Sequence, residues 1–497
     1  MVNYEKILSH ECNPELYYQS YEDLVNNASD LREEYIRNEN HEKMVLTNTF
    51  LRDNYVVKNG MSGCRIDEVL KLEELEEFEM EEESSVAEKM AMIALDDLIS
   101  YRKKEYQMVN LLSQILNTEE ADKISALKKE AFALNEDLYG KAEEKMFYSA
   151  LYELLNGGNQ RSSQIFDELY VRMSEILGVK WLAKADLSDP LPKLSVEATE
   201  FLKQFIDDNY AEIRETIEAR WQEKSDELMS KTGEKYQAGP EEIIGYFELV
   251  LRILDPENES ETKILLDENL SALSWSGERR AVIVGAKRAP IKSAKVMFGK
   301  IVHELLVHGQ RAVRGERTHP ILGIGLFDSE SYLDFEEGLA TVLEAVSQEK
   351  DLTWDMSTLG LYINIALADN GASFDDIYEI NWRLRALELM NKGKYSEESV
   401  LVQKRNAFNQ VVRVFRGTPM APEFNQDEVL LFYAKDLAYL RGKMKAIEYL
   451  NGECLRDGGI DLDMVLSIKF DPTNERHIET LVIWLNPFVS LMCEIFS

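Results

Sequence analysis

The chain has 497 residues, 45% of them hydrophobic and 30% charged, and Lys+Arg 56 against Asp+Glu 91 leave a net charge of -35. That length exceeds a typical single domain and predicts two or more packed units with substantial cores. The excess of acid argues against binding by attraction to nucleic acid or anionic lipid, so neither nucleic acid nor membrane is an expected partner.

Met1 to Tyr17 carries Glu5, His10, Glu11 and Glu15 and has no uninterrupted apolar core, so it reads as neither a signal nor a transit peptide, and a cytoplasmic location is expected. Cys12, Cys64, Cys454 and Cys493 are scattered without metal-ligand spacing, as in a reducing compartment. From Tyr4 to about Leu177 apolar residues recur at three- and four-residue spacing, which predicts an N-terminal helical region over residues 1–183. Within it, Asp67 to Glu83 is acid-rich yet keeps Leu70, Leu72, Leu75 and Phe78, the pattern of a solvated amphipathic helix.

Pro190 and Pro192 break the helical pattern between Lys184 and Val196, and a second unit, residues 197–497, is expected to follow. Helices are predicted over Glu197–Lys231 and, behind a first-turn proline, Pro240–Leu254. The β-branched run Ala281–Val284 predicts a short strand, either in the core or at an edge that could take an extended peptide. The fold class is therefore mainly α with a small β-sheet. The apolar run Leu481–Phe496 is interrupted by Asn486-Pro487 and falls short of the ~20 residues a membrane span needs, so it reads as a buried element.

Two of the six histidines fall in His303-Glu304-Leu305-Leu306-Val307-His308, a segment resembling the zinc-peptidase signature in which paired histidines hold zinc and the intervening glutamate is general base. The spacing is one residue too long. A regular α-helix splays positions i and i+5 by about 140°. A local π-bulge or widened turn is therefore predicted here, since only such a distortion brings both imidazoles to one ion. A catalytic zinc takes three protein ligands and leaves a position open, so a third must come from elsewhere. Phe335-Glu336-Glu337-Gly338-Leu339-Ala340 offers it at the opening of a helix over Glu337–Ala345, with Gly338 and Ala340 small enough for close packing against the histidine helix.

The HExxxH pattern followed by EEGLA resembles the tyrosine/phenylalanine carboxypeptidase family, whose animal members trim the C-terminal tyrosine of α-tubulin. Further short blocks resemble it in order: Leu138-Tyr-Gly-Lys141, Arg311, Arg413-Val-Phe-Arg-Gly417 and Lys435-Asp-Leu-Ala-Tyr-Leu-Arg-Gly442, so the likeness covers roughly residues 85 to 445. The resemblance implies a gluzincin-like zinc metallopeptidase over residues 197–497 with Zn2+ as cofactor. It makes His303, His308 and Glu337 the metal ligands, with Glu336 as the fallback, and Glu304 the catalytic base. Leu305-Leu306-Val307 stands where the animal members have Ile-Gly-Thr, which leaves the ligands intact and bears on substrate preference.

The oxyanion needs a further donor, for which Tyr439 and one of Arg311, Arg413 or Arg416 are the candidates. A terminal carboxylate suits arginine's bidentate fork, so the same three arginines are candidate substrate-binding residues. Between Arg279 and Arg317 ten basic residues face two acids, a local reversal of the chain's charge that could steer an anionic peptide tail. The expected partner is the C-terminal tail of a peptide or protein, and the expected product a released aromatic terminal residue, Tyr or Phe. Two alternatives stand beside this: a dipeptidyl peptidase III-like enzyme, which shares the extra residue between the histidines and needs a free N-terminus, and an inactive, peptidase-like binding module.

Overall fold

The computed structural model describes residues 120–482 apart from 157–158, 269, 271, 278, 319–321, 324, 327–331, 416–430 and 457, together with Glu33 and scattered positions from 97 to 118. The first seventeen residues, the acid-rich stretch Asp67–Glu83 and the apolar run beyond Val482 lie outside the described residues. Helices α1 (Ala121–Tyr139), α2 (Glu144–Leu155), α3 (Gln164–Leu177) and α4 (Trp181–Asp186) lead into α5 (Val196–Thr232) and α6 (Pro240–Leu254). Ser195 starts α5 by accepting from the amide of Ala198 at 3.0 Å, and Gly233 ends it in the left-handed conformation. Leu202, Ile206, Tyr210, Ile213 and Ile217 make one buried stripe along α5; the remaining faces are solvated.

Three strands follow: β1 (Lys263–Asp267), β2 (Leu273–Ser276) and β3 (Ala281–Gly285), in the order β1-β3-β2. β3 runs parallel to β1 and antiparallel to β2, and all five of its residues are buried. The option of Ala281–Val284 as a free edge is thus corrected. A continuous β-branched run, apolar on both faces, belongs in the middle of a sheet, and both β2 and β3 meet the histidine helix, the edge strand β2 more extensively. That helix comprises α7 (Ala294–Ile301), a π-helical stretch (Val302–Gly309) and α8 (Gln310–Thr318). The chain continues through α9 (Tyr332–Ser347), α10 (Met356–Asp369), α11 (Phe374–Asn391), α12 (Glu397–Val414), α13 (Leu437–Asn451) and α14 (Leu462–Val465). Helix α9 starts a turn earlier than its sequence suggests. No helix among the described residues is long and apolar enough to cross a membrane.

The apolar residues gather into two large cores that do not divide the chain into a front and a back half. One joins Met108–Leu191 to Met356–Leu440; the other joins Ala198–Val346 to Ala446–Leu481. Helices α1–α4 bury their apolar faces in the core that also holds α10–α12, which arrive much later in sequence. Helix α13 serves both cores, with Leu437 and Leu440 in the first and Ala446, Ile447 and Leu450 in the second. The chain crossings are tied to one another. Trp354 donates its indole N–H to the carbonyl of Pro192 at 2.9 Å, while Lys443 donates to the carbonyl of Thr353 at 2.8 Å and lies 4.2 Å from the Trp354 ring centre.

Helices α9 and α13 meet backbone to backbone. A Cβ on Gly338 would lie 1.9 Å from the Gly442 carbonyl oxygen, and one on Gly442 would lie 1.7 Å from that of Asp334. The small residue at 338 thus serves the crossing with α13, and not the packing against the histidine helix that the sequence suggested. Next to this crossing Arg441 pairs with Asp334 at 3.2 Å and donates to the carbonyl of Tyr139 at 2.7 Å. Its guanidinium fills the space where a Cβ of Gly140 would sit, which gives the Leu138–Lys141 block its structural reason. Substituting Gly338→Ala should destabilise the protein by about 3 kcal/mol or more, because backbone must move to admit one methyl group. Gly245→Ala, inside α6 with no neighbour within 4 Å, should be neutral or stabilising by up to about 1 kcal/mol. Thermal unfolding of the two variants beside the wild type checks the contrast.

Candidate active site

The predicted distortion is present: the stretch Val302–Gly309 is π-helical. With bonds running from i to i+5, residues five apart lie one above the other, and the His303 and His308 rings stand 5.1 Å apart. Ligand atoms of His303, His308 and Glu337 all lie within 4.8 Å of one another. Two imidazoles and a carboxylate on two packed helices are a donor set that could hold a metal ion.

The neighbouring glutamate, the fallback ligand, has a different place. Glu336 is buried, and its Oε1 lies 2.8 Å from His308 Nδ1 while its Oε2 accepts from Arg311 Nη1 at 3.0 Å. Lys469 adds a third contact, 3.3 Å from Oε1. Burial alone would raise the Glu336 pKa, but Lys469, Arg311 and His308 together hold it well below the usual carboxylate range. Burial likewise opposes a charge on His308, and is outweighed by the Glu336 hydrogen bond and the charges of Glu337 and Glu304, so that its pKa rises to about 9.

His303 has its own carboxylate partner. Its Nδ1 stands 2.9 Å from Glu344 Oε2, and Glu344 Oε1 is 2.7 Å from Lys300 Nζ and accepts from Gln348 at 2.9 Å. Against the cost of burial, His303 and Lys300 pull the Glu344 pKa down to about 2. Glu304 is the reverse case. Buried, with its Oε2 accepting the amide N–H of Trp275 at 2.9 Å, it is raised first by burial and further by Glu337, against the pull of His303 and His308. A carboxylate with heightened proton affinity beside a metal-type cluster is suited to take a proton.

On the far side of Glu337, Arg413 makes a bidentate pair with Asp436 at 2.6 and 2.9 Å and donates to the Tyr439 hydroxyl at 3.0 Å. Arg413 pulls the Tyr439 pKa down, but burial and the charges of Glu337 and Asp436 push it up on balance, which keeps the phenol protonated. The structure thus brings Tyr439 and Arg413 into one group that senses Glu337. Arg416 lies outside the described residues. Arg311 requires a correction: it is fully buried, with Nε and Nη2 on the carbonyl of Ile468 (3.0 and 2.9 Å), Nη2 also on that of Phe470 (2.6 Å), and Nη1 on Glu336. It has no face to offer a substrate carboxylate and acts on the site only through Glu336.

The basic cluster is in large part paired. Arg280 pairs with Glu316, Lys295 with Glu349, Lys300 with Glu344, Arg311 with Glu336 and Arg317 with Glu259, so half of its charge is answered locally. Glu344 and Lys469 were missed in the sequence. Glu344 could have been found, since it stands seven residues, or two turns, after Glu337 on the same helix face. Lys469 left no local signal.

The Glu344 pKa yields a signed expectation. A carboxylate whose folded pKa lies below its unfolded value of 4.5 adds stability above that pH, and the contribution is lost as pH falls toward about 2. In chelator-treated protein Glu344→Gln should lower stability at pH 7 by up to roughly 3 kcal/mol and flatten the loss between pH 5 and 2. Urea unfolding across that range provides the check; parallel pH curves for variant and wild type would contradict it.

Comparison with known proteins adds the last observation. The sequence pattern described as microtubule-associated tyrosine carboxypeptidase matches residues 207–482, more than half of the chain, and spans the histidine helix, α9 and α13. The match begins after the Leu138–Lys141 block and runs beyond residue 445 through the segment that holds Arg311. No curated protein and no solved structure matches. With that match over most of both site-bearing helices, the chain belongs to the microtubule-associated tyrosine carboxypeptidase family.

Proposed function

We propose that this chain is a zinc-dependent metallocarboxypeptidase, gluzincin-like in its ligand order, that removes a C-terminal residue, Tyr or Phe by preference, from a peptide or protein tail. One observation carries the reading: the π-helical stretch brings His303 and His308 together with Glu337, within 4.8 Å, beside a buried glutamate with raised pKa. The residues fit zinc on their own chemistry: two imidazoles and a carboxylate converge, and each imidazole has a carboxylate of α9 near its Nδ1, at 2.8 Å for His308 and 2.9 Å for His303. Zinc bound there supplies Lewis acidity toward water and toward the scissile carbonyl.

The protein groups do the rest. Glu304, held by the Trp275 amide, takes the proton of the attacking water and passes it to the departing amide nitrogen. Tyr439 receives the Arg413 hydrogen bond on its oxygen, which directs its own O–H outward as a donor to the developing oxyanion. Among the described candidates Arg413, fixed by Asp436, is the cation left to meet the terminal carboxylate once Arg311 is withdrawn. The family description names microtubules and tyrosine. With a net charge of -35 this chain repels a polyanionic filament, which favours a diffusible peptide or protein tail in the cytoplasm as substrate.

Purified protein should hold one zinc per chain and release terminal Tyr or Phe from N-blocked peptides while leaving C-amidated ones intact. Cleavage that requires a free N-terminus would favour the dipeptidyl peptidase alternative, and no cleavage by zinc-loaded protein across a diverse C-terminal library would favour the binding module. Glu304→Gln should keep its zinc and lose about 10²- to 10⁴-fold in kcat. Equal turnover in variant and wild type would remove Glu304 from the mechanism.

A further inference from the structure

Helix α9 carries three acidic side chains toward the histidine helix, and only one of them is a ligand candidate. Glu337 and Glu344 are seven residues apart and so nearly eclipsed, about 20° from perfect alignment, while Glu336 sits one residue round from them. The partners run in opposite senses, Glu336 to His308 and Glu344 to His303, so the two helices lie antiparallel. Each of these two glutamates is also answered by a cation three residues outside its histidine. Lys300 precedes His303 and meets Glu344 at 2.7 Å; Arg311 follows His308 and meets Glu336 at 3.0 Å.

We infer that Glu336 and Glu344 are positioning residues that lock the two imidazoles, so that one helix, α9, sets both the third ligand and the orientation of the other two. The inference rests on the zinc-peptidase reading. An imidazole has two nitrogens; a carboxylate facing Nδ1 holds the hydrogen there and leaves the Nε2 lone pair as the metal donor. Without that carboxylate both tautomers and a range of ring rotations become accessible, and the ligand set has to be ordered when the ion binds. Lys300 and Arg311 keep the two carboxylates in place, and Lys469, with the Ile468 and Phe470 carbonyls, extends the Glu336 anchor to the segment that follows α14. The cradle is thereby closed on itself: histidine helix to α9 through carboxylates, α9 back to the histidine helix through cations.

The test is a chelator-buffered zinc titration of the full chain, with cobalt(II) substitution read by its visible absorption bands, on wild type, Glu336→Gln, Glu344→Gln and Glu337→Gln. Glu336→Gln and Glu344→Gln should each weaken zinc binding by about 10- to 100-fold and shift the cobalt bands, while Glu337→Gln weakens it further. Glu344 is the less buried of the two, so Glu344→Gln decides the matter if Glu336→Gln fails to fold. Zinc affinity within twofold of wild type in a folded Glu344→Gln or Glu336→Gln, with affinity lost in Glu337→Gln, overturns the positioning role and leaves the zinc reading intact. Wild type that takes up no zinc overturns both.

Discussion

Where α9 crosses α13, Gly338 and Gly442 let two backbones approach more closely than any side chain permits. Almost everything in the site is measured from that contact. It sets the height of α9 against its neighbours, so that Glu336, Glu337 and Glu344 arrive opposite the histidine helix in register. On the other side it brings Tyr439, three residues before Gly442, to the vicinity of Glu337. Ordinary helix packing, with axes 8–10 Å apart and side chains between, would leave these groups too far apart to share a reacting atom.

The second constraint is electrostatic. The site gathers Glu304, Glu336, Glu337 and Glu344 around two histidines in a largely buried volume, an arrangement that like-charge repulsion and desolvation oppose. Lys300, Arg311 and Lys469 answer the charge, and they do so unevenly. Glu336 and Glu344 face the cations directly and stay ionised to low pH, whereas Glu304 has only a backbone amide and is lifted. Equal residue types are thus shifted in opposite directions by the company they keep.

The parts of this legible in sequence were those written in local spacing. The five-residue interval between His303 and His308 admits one shared face only in a π-helical stretch, and Pro240 marks a helix start by its own backbone chemistry. The EEGLA segment offered Glu337 as a candidate ligand with Glu336 as the fallback, because only tertiary packing shows that Glu336 turns to His308. What sequence could not show were relations between distant segments. Arg311 looked like a carboxylate binder as long as the carbonyls of Ile468 and Phe470, more than 150 positions away, were out of view, and β3 looked like a possible edge until β1 and β2 were paired to it.

The interleaving of the two cores has a consequence for the birth of the chain. Helices α1–α4 leave the ribosome well before the residues that cover their apolar faces, Met356–Leu440. At 5–20 residues per second, roughly 12 to 50 seconds separate Leu191 from Leu440. Over that interval the nascent chain holds an exposed apolar surface while the zinc-type helix pair of the other core is already being assembled. The pace of translation over that stretch, and whatever shields the surface meanwhile, then bears on how much of the protein reaches its native state.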